Sequence, residues 1–302
     1  MGAEDLKMDL SVCIVNYNAR TMLENCLRSI IDNANSLIYE IIVVDNASED
    51  GSKEMVRQKY PQVKLMANDR NQGFAKASNQ AIKVSSGSYV VLLNNDMVLS
   101  NNAFELMVEK LKSDAKIGAL TCKIFEKDGK TVQRNCRAFP SLIGTMFGRA
   151  SLLSRLFPNN PVTRKNLLSD WDYNSPRSVD WVSGACLMVR KEIIDKVGLL
   201  DENFFIYWED TDWCRRIRDK GWEIWFLPQG RMIHFTGSGG GQRSLWVESF
   251  TIYHLHRGAF YYFKKHHFKS WINPMAWIAF AGMLSLTAVK ISYAALKRIL
   301  PV

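Results

Sequence analysis

Short unbroken apolar runs alternate with stretches of helical spacing through the first hundred residues. Leu10 to Val15 is apolar and stops at Asn16-Tyr17-Asn18. From Thr21 to Ile31, Met22, Leu23, Cys26, Leu27, Ile30 and Ile31 recur at the i, i+3, i+4 spacing of a helix. Ile41 to Val44 is a β-branched run ending in Asp45-Asn46, with turn residues to Gly51-Ser52; a short helix to Tyr60 follows, and Pro61 breaks it. Val63 to Met66 reads as a strand, Phe74 to Val84 as a helix, and Tyr89 to Leu93 as a strand ending in Asn94-Asn95-Asp96. This alternation predicts βαβ units and a mostly parallel sheet. Strands apolar throughout suit a sheet covered on both faces.

Further on, the pattern is less regular. Leu120 to Phe125 and Thr131 to Phe139 have strand character, Leu142 to Phe157 reads as a helix or lid, and Asn159-Asn160-Pro161 as a loop. Val179 to Val189 returns to strand and Lys191 to Val197 is a short helix. Glu223 to Leu227 is a strand, Pro228-Gln229-Gly230 a turn, and Met232 to Phe235 carries His234 into the glycine-rich run Gly237 to Gly241.

Three strand ends should converge. In an open parallel sheet the carboxyl ends of the strands lie along one edge, where ligands bind. That places Asn16-Tyr17-Asn18, Asp45-Asn46 and Asn94-Asn95-Asp96 around one crevice. Neither the GxGxxG fingerprint nor a Walker A loop follows the first strand. A nucleotide-sized site without a phosphate loop needs another source of positive charge, and a divalent metal on an acidic residue supplies it.

The acid-rich stretch Phe204 to Arg216 should face that crevice. Taken as a helix from Glu209, it places Asp210, Trp213, Cys214 and Ile217 on one buried face. Asp212 falls elsewhere, next to Arg215 and Arg216, where an ordinary exposed ion pair is expected. Asp210 is thus the candidate general base; a helix cap or a supporting ion pair is the plainer reading.

Composition adds a boundary. Of 302 residues 47% are hydrophobic, enough for a sizeable core, and six scattered cysteines lack metal-finger spacing. Residues 1–9 hold Glu4, Asp5 and Asp9 without an apolar run, so no signal peptide is expected and the chain should stay in the cytoplasm. From Gly241 onward there are eight Lys or Arg against Glu248 alone, which accounts for seven of the nine net positive charges. Trp271 to Val289 contains no charge. The expected division is a catalytic domain over 1–240 and a basic, aromatic, apolar membrane-association region over 241–302. Such a tail favours an anionic membrane surface over nucleic acid. An interfacial hairpin, one true span and a homo-oligomer interface all remain open.

Val15 to Asn18, Val43 to Ser48, Asn71 to Ala75, Leu92 to Asp96, Trp181 to Ala185, Trp208 to Asp212 and His234, in this order, resemble the family 2 glycosyltransferases. These are inverting enzymes of the GT-A fold, and the resemblance is to their bacterial rhamnosyltransferase-like group. It implies an α/β GT-A domain binding a nucleotide-diphosphate sugar. Asp45 would accept from a pyrimidine ring, with Tyr17 and Asn18 alongside, and Asn71, Gly73, Asn94 and Asn95 would also contact the nucleotide. Asp96, last position of the DxD-like Asn94-Asn95-Asp96, would hold Mg2+ or Mn2+ with help from His234. Trp181, Gly184, Trp208 and Glu209 would meet the sugar or acceptor, and Asp210 would be the base. Asn94 replaces the first DxD acid, which leaves less protein charge on the metal. The QxxRW pattern of processive members is absent. The expected reaction is sugar transfer, with L-rhamnose from dTDP-rhamnose the leading donor. The acceptor would be a glycan or a polyprenyl-diphosphate-linked glycan at the cytoplasmic face of the plasma membrane. The alternatives are a UDP-hexose or UDP-N-acetylhexosamine donor, and a non-catalytic membrane scaffold.

Overall fold

The computed structural model describes residues 8–34, 36–141, 160–235, 244–268 and 274–299. The expected helix at Leu142 to Phe157 and the glycine run at 237–241 lie outside them.

Four parallel strands form one half of the main sheet: β1 (Leu10–Asn16), β2 (Tyr39–Asp45), β3 (Lys64–Ala67) and β4 (Tyr89–Asn94), in the order β3-β2-β1-β4. Side chains alternate between two cores as the pleat requires. Val12 and Ile14, Ile41 and Val43, Val91 and Leu93 face α1 (Arg20–Asn33), α2 (Ser52–Lys59) and α4 (Ala103–Ser113). Cys13, Ile42, Val44, Val90 and Leu92 face α3 (Phe74–Lys83) and later helices. Both faces are covered, which explains the unbroken apolar runs. α4 was not anticipated, although Phe104, Met107, Val108 and Leu111 are helically spaced and buried.

The other half is mixed. After β5 (Met97–Leu99), β6 (Ile117–Glu126) joins β11 (Cys186–Arg190) and β12 (Glu223–His234), giving β4-β11-β6-β12-β5; β11 is antiparallel to β4 and β6, and β12 is parallel to β6. The strand expected over Thr131 to Phe139 is two short ones in different sheets. β7 (Val132–Gln133) pairs with β6, and β8 (Cys136–Arg137) pairs with β10 (Trp181–Val182). Helix α5 (Pro161–Leu167) and strand β9 (Arg177–Val179), which pairs with β12, fill the region where the sequence pattern is weak. The turn expected at 228–230 is instead a bulge inside β12, where the register on β6 jumps from Leu227 to Arg231. Pro228, which has no N–H to donate, is accommodated at such an interruption.

α6 (Lys191–Val197) leads to α7 (Glu209–Asp219), whose Trp213, Cys214 and Ile217 are fully buried. The tail is two helices, α8 (Leu245–His266) and α9 (Pro274–Ile299). They run antiparallel: Glu248 pairs with Arg298, His256 with Thr287, and Phe260 with Phe280. Phe204, Tyr262, Phe263, Phe268 and Ala276 form a third core that fixes this hairpin against the segment before α7.

Candidate active site

The strand ends do converge, and side-chain amides knit them together. Asn16 is fully buried; its Nδ2 donates to Asp45 Oδ2 (3.0 Å) and Ser48 Oγ (3.1 Å), and its Oδ1 accepts from Asn95 Nδ2 (2.8 Å). Asn46, 2% exposed, donates to Asn71 Oδ1 (2.8 Å) and the Gly73 carbonyl (3.3 Å), while its Oδ1 accepts the Gln72 N–H (3.0 Å). Both stand at strand ends expected to converge, but neither was given a role of its own from the sequence. Asp45 is 1% exposed, and its Oδ1 accepts the Ser48 N–H at 2.8 Å. Its carboxylate thus ties β1 and the loop after β2 together from within. Tyr17, half exposed, stands out from this floor, and Asn18 follows it at a φ of 48°.

Gly73 has a φ of 85°, and a Cβ there would lie 2.6 Å from the Phe205 carbonyl, which accepts the Phe74 N–H. Only glycine lets the loop before α3 touch the segment before α7 so closely.

β12 and β5 bring Asp96 and His234 together. The Asp96 carbonyl accepts the Phe235 N–H, and His234 Nε2 hydrogen-bonds Asp96 Oδ1 at 3.0 Å. Gln133 Oε1 fixes the other ring nitrogen at 2.8 Å. A carboxylate and an oriented imidazole side by side suit a divalent ion that takes its other ligands from phosphate and water. Among the described residues no group of three or more such donors occurs.

Asp210 sits in the first turn of α7, where the helix dipole favours negative charge. Its Oδ2 accepts the Gly184 N–H (2.9 Å), and its Oδ1 accepts the N–H (2.7 Å) and hydroxyl (3.2 Å) of Thr211. Gly184 lies where the expected strand breaks between β10 and β11, which turns its N–H toward the acid. Burial raises the Asp210 carboxyl above the ordinary aspartate value, and these donors oppose the rise. Glu209 beside it is 5% exposed and its Oε2 has no hydrogen-bond partner. Burial, then the charge of Asp210, pushes it much higher. It is not among the described residues that line the cavity beside Asp210.

Asp212 departs from expectation outright. It is fully buried, with Oδ2 on Arg216 Nε (2.9 Å) and Oδ1 on Lys265 Nζ and His266 Nε2 (2.8 Å each). What buries it is α8, a helix that the phase of α7 alone does not reveal.

Asp210 and His234 open into one cavity of about 330 Å³. Trp181, Trp208, Tyr207, Arg134 and Arg137 also line it, and Leu255 of α8 closes one side. The arginines escaped the sequence reading because Arg134 lies on the connection after the two-residue β7 and Arg137 ends the two-residue β8, both strands too short to show a period. A carboxylate with base character and the imidazole paired with Asp96 thus face one space beside amide-lined strand ends.

Residues 11–198, more than half of the chain, match the description Glycosyl transferase family 2. The chain belongs to this family. Its similarity to the N-acetylglucosaminyl-diphospho-decaprenol L-rhamnosyltransferase of Mycobacterium tuberculosis is 28% identity over 96% of the chain and 94% of that protein. With the dTDP-rhamnosyl transferase RfbF of Shigella flexneri it is 25% over 77% and 71%. The mannosyltransferase PcManGT of Pyrobaculum calidifontis, solved with GDP-Man and Mn2+, superposes over 98% of this chain and 84% of its own at a TM-score of 0.57 and 18% identity. This last likeness bears on the fold: the family 2 chain has the GT-A architecture expected of it.

Proposed function

We propose that this family 2 glycosyltransferase transfers a sugar, L-rhamnose from dTDP-rhamnose, to a diphosphate-lipid-linked glycan, with inversion. The observation that carries the reading is the cavity that Asp210 shares with His234, whose ring is hydrogen-bonded to Asp96. Direct displacement at an anomeric carbon needs a base for the acceptor hydroxyl and charge neutralisation for the departing diphosphate. Asp210, anchored by Gly184 and Thr211, takes the hydroxyl proton. Asp96 and His234 would hold Mg2+ or Mn2+, which when bound would neutralise charge on the leaving group. Tyr17, Asn18, Asn71, Gly73, Asn94 and Asn95 surround the nucleotide, over a floor that Asp45 ties together. Trp181 and Trp208 flank the sugar and acceptor. Two relatives whose names contain rhamnosyltransferase activity support the donor assignment.

The same reading puts the protein against the cytoplasmic leaflet. α9 is long and apolar enough to cross a membrane, and little of it is buried. It lies alongside the charged α8, however, and its Lys290 turns inward to donate to His256 Nε2 at 3.2 Å. Trp277, Ile278, Leu284, Val289, Tyr293 and Leu296 are left outward and exposed. A helix with that face suits lying in the interface.

The test is transfer by the purified full chain with dTDP-rhamnose and UDP-sugars in parallel. Asp210→Asn should lower turnover at least about 100-fold with dTDP affinity nearly unchanged, while Asp96→Ala should remove the Mn2+-dependent part of dTDP binding. Turnover retained in Asp210→Asn would remove it as the base.

A further inference from the structure

We infer that Arg134 and Arg137 form a second phosphate site in the cavity, one that grips the diphosphate of the acceptor. The inference rests on the transfer reading above but adds residues and a ligand group to it. Asp210 is the only acid among the described residues that line the cavity, and the exposed Arg134 lines it as well. The proposed function assigns the donor's diphosphate to Asp96 and His234 with a cation. A further guanidinium in the same space suits a second anionic group.

The arginines are held on a rigid ledge. Between them Asn135, 4% exposed, donates to Thr121 Oγ1 (3.0 Å) and the Cys122 carbonyl (3.2 Å), and its own carbonyl accepts the Ser183 N–H (2.9 Å). Cys136 N–H donates to the buried Tyr173 hydroxyl at 3.3 Å. Arg137 stands opposite Trp181 across the β8–β10 pair, and its Nη2 reaches the Arg134 carbonyl at 3.4 Å. Arg134 itself is exposed and makes no ion pair among the described residues. Guanidinium forks match phosphate oxygens two at a time. Leu255 of α8 adds an apolar side chain to the same wall, and α8 packs against α9, whose exposed residues are largely apolar. A ligand with a diphosphate head and a hydrocarbon chain matches both surfaces.

Farnesyl diphosphate is the probe, titrated calorimetrically into the detergent-solubilised full chain, with farnesol as the phosphate-free control and dTDP plus Mn2+ as the donor-side control. The wild type should bind farnesyl diphosphate and not farnesol. Arg134→Ala should weaken that binding about tenfold, or about 1.4 kcal/mol, and Arg134→Ala with Arg137→Ala further, with dTDP–Mn2+ affinity unchanged. Equal binding by wild type and variants, or no preference over farnesol, would overturn the site. A parallel loss of dTDP affinity would also overturn it, by giving the arginines to the donor's diphosphate. If the wild type binds no dTDP while farnesyl diphosphate binding still depends on the arginines, the donor reading fails and this site stands. Arg134 is exposed, so its single variant decides should the double variant not fold.

Discussion

Glu209 and Asp210 are adjacent in sequence and opposite in surroundings. Asp210 has three donors and a cavity; Glu209 has burial and an orphaned oxygen. A carboxyl whose folded pKa lies above its unfolded value makes the folded state bind more protons, so stability falls as pH rises past the unfolded value near 4.3. Glu209→Gln keeps the shape and removes the titration. It should raise the thermal midpoint at pH 8 by about 2–4 °C for each kcal/mol recovered, and by less at pH 4.5; calorimetry at the two pH values checks this. For Asp210 the raised value places the acid limb of the rate profile above the ordinary aspartate range. Its candidacy was legible because Trp213, Cys214 and Ile217 mark its face of α7. The raised value of Glu209 was not, since burial of that kind is set by distant chain.

The joint between α7 and α8 explains the clearest misreading. One helix's periodicity reports one buried face, and α7 has two, the second covered by residues more than forty positions later. There Lys265 bridges Asp212 and Asp201, and Tyr261 also donates to Asp201 at 3.1 Å. Burial alone would raise the Asp212 carboxyl, but His266, Arg216 and Lys265 bring it below the usual aspartate value. Its contribution is therefore complete above about pH 4 and is lost as pH falls through the lowered value. Asp212→Asn leaves Arg216 and Lys265 facing a neutral amide, and should destabilise the protein by about 3–5 kcal/mol in urea unfolding at pH 7. A change under about 0.5 kcal/mol would make this an ordinary surface cluster. The bulge in β12 was hidden for a related reason: Pro228 and Gly230 carry the composition of a turn, and only pairing with β6 shows that the strand continues.

The whole chain joins a sheet domain to a helical hairpin, and the two were unequally legible. The parallel half of the sheet follows from four apolar runs with polar ends. The mixed half does not, because β7 to β10 are too short to show a period. The basic, apolar character of the tail was plain, but its pairing as a hairpin depends on contacts such as His256 with Thr287. Burial, then Lys290, lowers the His256 imidazole to about 4, which leaves Lys290 as the charge there. Leu284→Glu with Val289→Glu changes exposed positions only. It should cut cosedimentation with phosphatidylglycerol vesicles at least about tenfold without altering nucleotide binding. Unchanged sedimentation, with the double variant turning a dimer into a monomer, would reassign this face to a second copy of the chain.

Just before α7, Tyr207 and Trp208 have φ angles of 67° and 76°, a conformation that costs an L-residue roughly 1–2 kcal/mol. α8 holds them there. Trp208 Nε1 donates to the Leu255 carbonyl at 2.9 Å, and Gly258 leaves room where a Cβ would stand 2.8 Å from Trp208 Cδ1. The aim of Asp210 is therefore not a property of α7 alone; it lasts while the hairpin stays seated. Seating and aiming are one equilibrium seen from two ends. A ligand of the cavity or of the outer face of α9 acts on this equilibrium only as far as it binds the seated hairpin better, and any coupling between the two is reciprocal.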